Sequence, residues 1–233
     1  KDPSKWTEVI SRCPSGVCSN GCIHGAFQER FRKEFLTKEE IAELKPQFTD
    51  VCEARDGYNP TGLERGSCYH ALGHLLMYIT NADIHASLPL CRELAKRNGY
   101  DFTQVCYDGV FMQIYQPLEP DDFTLIEGKE VSKEEAPAFC AQFSGKERSS
   151  CWSESWPLFF DEILSPGGAL KHCSVLSEDK DRCFDSLMFV VPTQMRFNID
   201  GIIGYCKVLP EAESKRCFSQ TAARFIETDY KNS

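Results

Sequence analysis

The chain has 233 residues, a formal net charge of −9, and is 42% hydrophobic, 12% aromatic and 26% charged. That balance is of a folded domain with a core. Its acidity argues against nucleic acid, which needs a basic face to neutralise phosphates, and leaves no polybasic patch for anionic lipid. No apolar stretch approaches the roughly 18 residues of a membrane-spanning helix. The chain starts at Lys1, so the expectation is a trimmed mature protein or ectodomain, with any leader or membrane anchor outside this sequence. Asn59-Pro60-Thr61 has proline at the forbidden position of a glycosylation acceptor, which favours a bacterial or archaeal exported protein over a glycosylated animal one.

Thirteen cysteines dominate the pattern. Twelve fall into pairs: Cys13/Cys22, Cys52/Cys68, Cys91/Cys106, Cys140/Cys151, Cys173/Cys183 and Cys206/Cys217, with Cys18 left over. The first member of most pairs closes a helical stretch (LPLCREL, APAFCAQF, LKHCSVL, IGYCKVL) and the second opens the next. A bridge across the turn between consecutive helices fits that layout, although twelve cysteines allow many other connectivities. No C-x-x-C occurs, so stapled helical hairpins in an oxidising space (secreted, periplasmic or ectodomain) fit better than a cytosolic metal-thiolate protein.

In chain order, Ser4 is placed to cap KWTEVISR. Thr37-x-x-Glu40 opens TKEEIAELKPQF as a capping box, and Ser132-x-x-Glu135 opens SKEEAPAFC the same way. Gly99, Gly145 and Gly201 read as turns between helices, and strand patterns are nearly absent. The stretch from about Gln116 to Val131 has two prolines and five acids and reads as a surface insertion; Asp121-Asp122 within it reads as a solvated loop, or less readily a calcium site. The second cysteines open six segments, CIHGAFQ, CYHALGH, CYDGVFM, CWSESWP, CFDSLMF and CFSQTAA, separated by 46, 38, 45, 32 and 34 residues. Such periods are those of helical-hairpin repeats. The expectation is an all-α domain over 1–233, an α-solenoid or compact helical-repeat array, with histidine-containing repeats over 1–116, an acidic insertion over 117–131 and scaffold repeats over 132–233.

The cysteine placement, with Gly25, Gly73 or Gly109 near the helix start, resembles cysteine-bridged Sel1-like and tetratricopeptide-like helical repeat proteins. The period is irregular, and the inter-helix glycine and aspartate motif of the Sel1 pattern is missing. The resemblance implies a binding surface and no particular chemistry.

Three of the five histidines sit at these openings: His24, His70 and His74. His70 and His74 are four apart, so they share a helix face, opposite a core stripe of Leu72, Leu75, Leu76 and Ile79. The residue two after the opening cysteine is His24, His70 and Asp108 in the first three repeats, so stacking would set His24 and Asp108 beside His70. Imidazoles with a carboxylate suit zinc or iron. Met77 and Met112, with Cys18 if reduced, write a copper version. Glu29 and Gln113, each seven after its cysteine, are candidate supporting or acid/base groups.

Other readings stay open: a structural hydrogen-bonded cluster, a metal-free hydrolase or lyase using His70 or His74 as base with Glu29, or a non-catalytic module binding a peptide or protein. His85 and His172 read as surface or packing residues, and Trp152, Trp156, Phe159 and Phe160 as core rather than a ligand platform. No Walker, Rossmann, nucleophile-elbow or haem-attachment motif is present, so no nucleotide and no haem are expected.

Overall fold

The structure, a computed structural model, describes residues 5–13, 17–31, 35–55, 57–97 and 99–228. Ser4 lies outside them, as does the side chain of Cys18. The described residues are all-α but for one two-stranded hairpin, and the chain divides into two compact units, Lys1–Glu130 and Val131–Ser233.

The first unit holds α1 (Trp6–Ile10), α2 (Val17–Phe31), α3 (Lys38–Asp50), α4 (Gly62–Ile79), α5 (Ile84–Leu94), β1 (Lys96–Arg97), β2 (Tyr100–Asp101), α6 (Thr103–Tyr115) and α7 (Pro120–Ile126). Thr37 and Thr61 each start a helix with a complete capping box, closed by Glu40 and Glu64. Each box satisfies backbone donors that the first turn leaves open. The β1–β2 turn contains Gly99 at φ +95°, a conformation that glycine adopts without strain.

Helix α4 packs against α2, α5 and α6. Most of its surface is therefore covered: Cys68, Tyr69, Ala71, Leu72, Gly73 and every residue from Leu75 to Ile79 are buried. The two-sided pattern expected of this helix gives way to burial nearly all round, and Met77 belongs to the core at 0% exposure. Against α6 the approach is backbone to backbone. A methyl group at Gly73 would collide with the carbonyl oxygen of Cys106, and one at Gly109 with that of His70.

The second unit holds α8 (Ala136–Cys140), α9 (Gly145–Glu154), a 3-10 turn (Trp156–Phe159), α10 (Phe160–Leu164), α11 (Gly168–Cys173), α12 (Lys180–Gln194), α13 (Ile199–Lys207) and α14 (Glu211–Thr228). The Ser132–Glu135 capping hydrogen bonds form ahead of α8. Gly201 is not a turn residue; it lies in the first turn of α13 and donates its N–H to the Asn198 side chain that caps the helix. Trp152 and His172 interlock: each backbone carbonyl bonds the other's ring nitrogen, at 2.7 and 3.1 Å, and the rings stack at 4.6 Å. Both are buried, so His172 is a core residue.

Six disulfides join the cysteines in adjacent pairs, with Cα–Cα distances from 5.5 to 5.7 Å. Each ties the end of one helix to the body of the next. By loop-closure entropy each contributes about 2–4 kcal/mol. These bridges fit an oxidising compartment outside the cytoplasm, and no described helix is long and apolar enough to cross a membrane.

Candidate metal centre

His24 comes from α2, and His70 and His74 from adjacent turns of α4. One ring nitrogen from each lies within 4.8 Å of the other two. Disulfides tie both helices near these residues: Cys22 and Cys68 each stand two positions before a histidine.

His74 and His70 face each other through their Nε2 atoms at 3.3 Å. On its far side, His74 Nδ1 lies 2.8 Å from Gln113 Oε1 of α6. The amide orientation decides the tautomer. The Gln113 nitrogen lies on the side of the Asp122 carboxylate, whose charge it stabilises without a hydrogen bond of good geometry. Its oxygen therefore faces His74 and accepts the Nδ1 proton, leaving a lone pair at His74 Nε2. His70 hydrogen-bonds the Val105 backbone carbonyl. His24 Nε2 is buried with no hydrogen-bond partner among the described residues.

The rings are held neutral. Burial, then the neighbouring His74, lowers His24 from the usual histidine value to about 3. Burial is the main cause for His70 too, helped by the other two rings, and it also outweighs the Gln113 hydrogen bond at His74. Neutral imidazoles with free lone pairs are the form that binds metal.

These rings line a cleft of about 500 Å³. Its other polar walls are Gln28, Tyr78, Gln113, Gln116, Glu119 and Asp122, and Met112 and Phe27 are among its apolar ones. Tyr78 accepts from Gln28 Nε2 at 3.2 Å and donates to Asp122 Oδ1. Asp122 Oδ2 accepts from the backbone N–H groups of Leu118 and Glu119 at 3.0 and 2.9 Å. Burial pushes the Asp122 pKa up, but these donors outweigh it, and the net shift is down.

Asp122 is thus neither a solvated loop residue nor open to calcium. The expected insertion contains α7, which puts this carboxylate into the cleft wall at 6% exposure. Pro120 in the first turn, followed by two acids and an apolar run, is a helix-start signal that sequence reasoning passed over.

Asp108 and Glu29 are not among the residues lining the cleft, and Asp108 is not in the imidazole group. Asp108 stands next to Gly109, where α6 meets the His70 carbonyl, but it is not among the cleft residues. Met112 and Gln113 of α6 reach the cleft, as does Gln116 just beyond its end. His85 is exposed. No protein-family model matches this chain, and no curated protein or solved structure is significantly similar to it.

Proposed function

We propose that His24, His70 and His74 bind one transition-metal ion, zinc being the best fit, for Lewis-acid chemistry on a ligand held in the cleft. The observation that carries this reading is the convergence of three neutral imidazoles. Their nitrogens lie within 4.8 Å of one another, and the buried His24 Nε2 lacks a partner among the described residues. A structural hydrogen-bonded cluster would satisfy that nitrogen, since buried polar atoms in native proteins are nearly always paired.

Distance supports the same reading. Zinc–nitrogen bonds of about 2.0–2.1 Å in a tetrahedron set neighbouring ligand nitrogens about 3.3 Å apart, and His70 Nε2 and His74 Nε2 are separated by 3.3 Å. Three protein ligands beside an open cleft leave a fourth position for water or substrate, the arrangement of catalytic rather than closed structural zinc. Gln113 orients His74 from behind, as metal-binding histidines require. Met112 at the cleft keeps a copper-handling role as the second reading. The six bridges support a protein that works in the periplasm or outside the cell.

Elemental analysis of untagged protein after dialysis against metal-free buffer tests the reading. About one metal per chain is expected, lost in His70→Ala and in His24→Ala while the helical circular dichroism is kept. Wild-type protein that stays metal-free after reconstitution with zinc, copper and iron would overturn it.

A further inference from the structure

Asp122 has a property that the imidazole cluster alone does not explain. It is a carboxylate at 6% exposure, held in its charged form by Tyr78 and two backbone N–H groups, and among the described residues its contacts include no cation. Among the described residues neither lysine nor arginine lines the cleft it faces. Charged groups this deep are ordinarily paired with an opposite charge.

The carboxylate is also locked in place. It accepts from Leu118 and Glu119 at the start of its own helix, so it cannot turn to solvent without uncapping α7. Both oxygens already accept hydrogen bonds, which leaves it outside the ligand set. It lines the same cleft as the three imidazoles, where its charge acts on a bound cation through space.

We propose that Asp122 is the counter-charge of the metal centre and the residue that makes it select divalent over monovalent cations, with Tyr78 and Gln113 as its positioning residues. This rests on the metal-binding reading above. Three neutral imidazoles contribute no charge, so a bound ion brings its whole charge into a buried site. A through-space attraction scales with that charge and counts twice as much, on a logarithmic scale, for zinc as for copper(I). Without Asp122, an imidazole cluster with Met112 on its cleft would suit copper(I) well.

The test is a pair of affinities for the full chain: zinc by chelator competition, and copper(I) under anaerobic conditions, for wild type and Asp122→Asn. Loss of an outer partner of this kind costs about 10–100-fold in metal affinity. Zinc is expected to fall by that factor and copper(I) by roughly its square root, about 3–10-fold. Asp122→Ser, which removes the same charge with a smaller side chain, should show the same inequality even if the asparagine variant folds poorly. Tyr78→Phe keeps the charge and should change the zinc-to-copper(I) ratio little. Equal losses for both ions, or an unchanged zinc affinity, would reduce Asp122 to a structural cap and overturn the inference while leaving the metal site standing. A wild type that binds neither ion would remove the metal reading itself.

Discussion

Two hairpins of this molecule share a framework and differ in what it carries. In each unit a bridged cysteine sits within a long helix (Cys68 in α4, Cys183 in α12). Thirteen residues later the chain turns through two successive left-handed residues, Asn81-Ala82 and Arg196-Phe197. Ala82 N–H bonds back to Met77 and Phe197 N–H to Pro192, the same five-residue reach. Asp83 and Asn198 then cap α5 and α13, and a cysteine follows 23 residues after the first. Non-glycine residues at positive φ are costly, so two such pairs at equal spacing show how strongly helix packing dictates this turn. Inside the framework, core positions match: Tyr69 with Phe184, Leu72 with Leu187, Leu76 with Val191.

The difference lies on the remaining positions. Where α4 has His70, Gly73 and His74, α12 has Asp185, Met188 and Phe189. Met188 fills space, with 0% exposure, and Phe189 is half exposed beneath Arg224. Gly73 opens space for α6, whose Gln113 then reaches His74. The lesson is that the scaffold is indifferent to chemistry, and one small residue decides whether a neighbouring helix can approach closely enough to build a site.

Four outcomes sharpen this comparison. The largest effect belongs to Gly73→Ala, because the clash is with backbone that cannot rotate away. We expect a loss of about 3 kcal/mol or more by chemical denaturation, together with the metal site. Met188→Ala makes a cavity instead, costing about 2–5 kcal/mol without weakening metal binding in the first unit. Equal metal loss in both variants would break the contrast.

The bridges differ as well. Both cysteines are buried in five of them, whereas Cys13 and Cys22 are part-exposed. Mild reductant should open Cys13–Cys22 first, as read by mass spectrometry after alkylation. Removing that bridge by Cys13→Ser with Cys22→Ser should cost about 2–3 kcal/mol by loop entropy and loosen His24 more than His70.

Acid provides the third test, on metal-free protein. The folded pKa of His24, about 3, lies below its unfolded value of 6.5. The unfolded chain therefore takes up the proton first, and stability present above pH 6.5 is lost as pH falls toward 3. His24 alone should account for about 2 kcal/mol at pH 5, with His70 and His74 acting in the same direction. Amide exchange in α2 and α4 should rise at higher pH than in α12, since the second unit holds a single buried histidine, His172. Synchronous loss would contradict the assignment of acid sensitivity to the cluster.

The smallest effect is Asp185→Asn. Asp185 stands where α4 has His70, and it pairs with Arg216 at 3.3 Å in a partly exposed setting. Its loss should cost about 1 kcal/mol or less and leave metal binding intact.

Much of the framework was legible beforehand. Capping boxes at Thr37 and Ser132 are local in sequence, and so are the cysteines flanking each turn. The pairing of His70 with His74 follows from helix geometry alone. What escaped was set by packing. The register count brought α6 beside His70 but did not give the face of α6 that turns to the cleft, which carries Met112 and Gln113. His74 meets Gln113, and Tyr78 meets Asp122, only through tertiary contacts spanning 39 and 44 residues. Asp122 looked solvated because its neighbours are acidic and proline-rich, while its burial depends on where α7 docks.

The most direct measurement of the central claim is a titration of metal-free protein with cobalt(II), followed by visible absorption. The account predicts a single saturating site with the intense bands of low-coordinate cobalt on imidazole nitrogen, displaced by one equivalent of zinc and absent in His74→Ala. Weak six-coordinate absorption, or binding that survives His74→Ala unchanged, would contradict it.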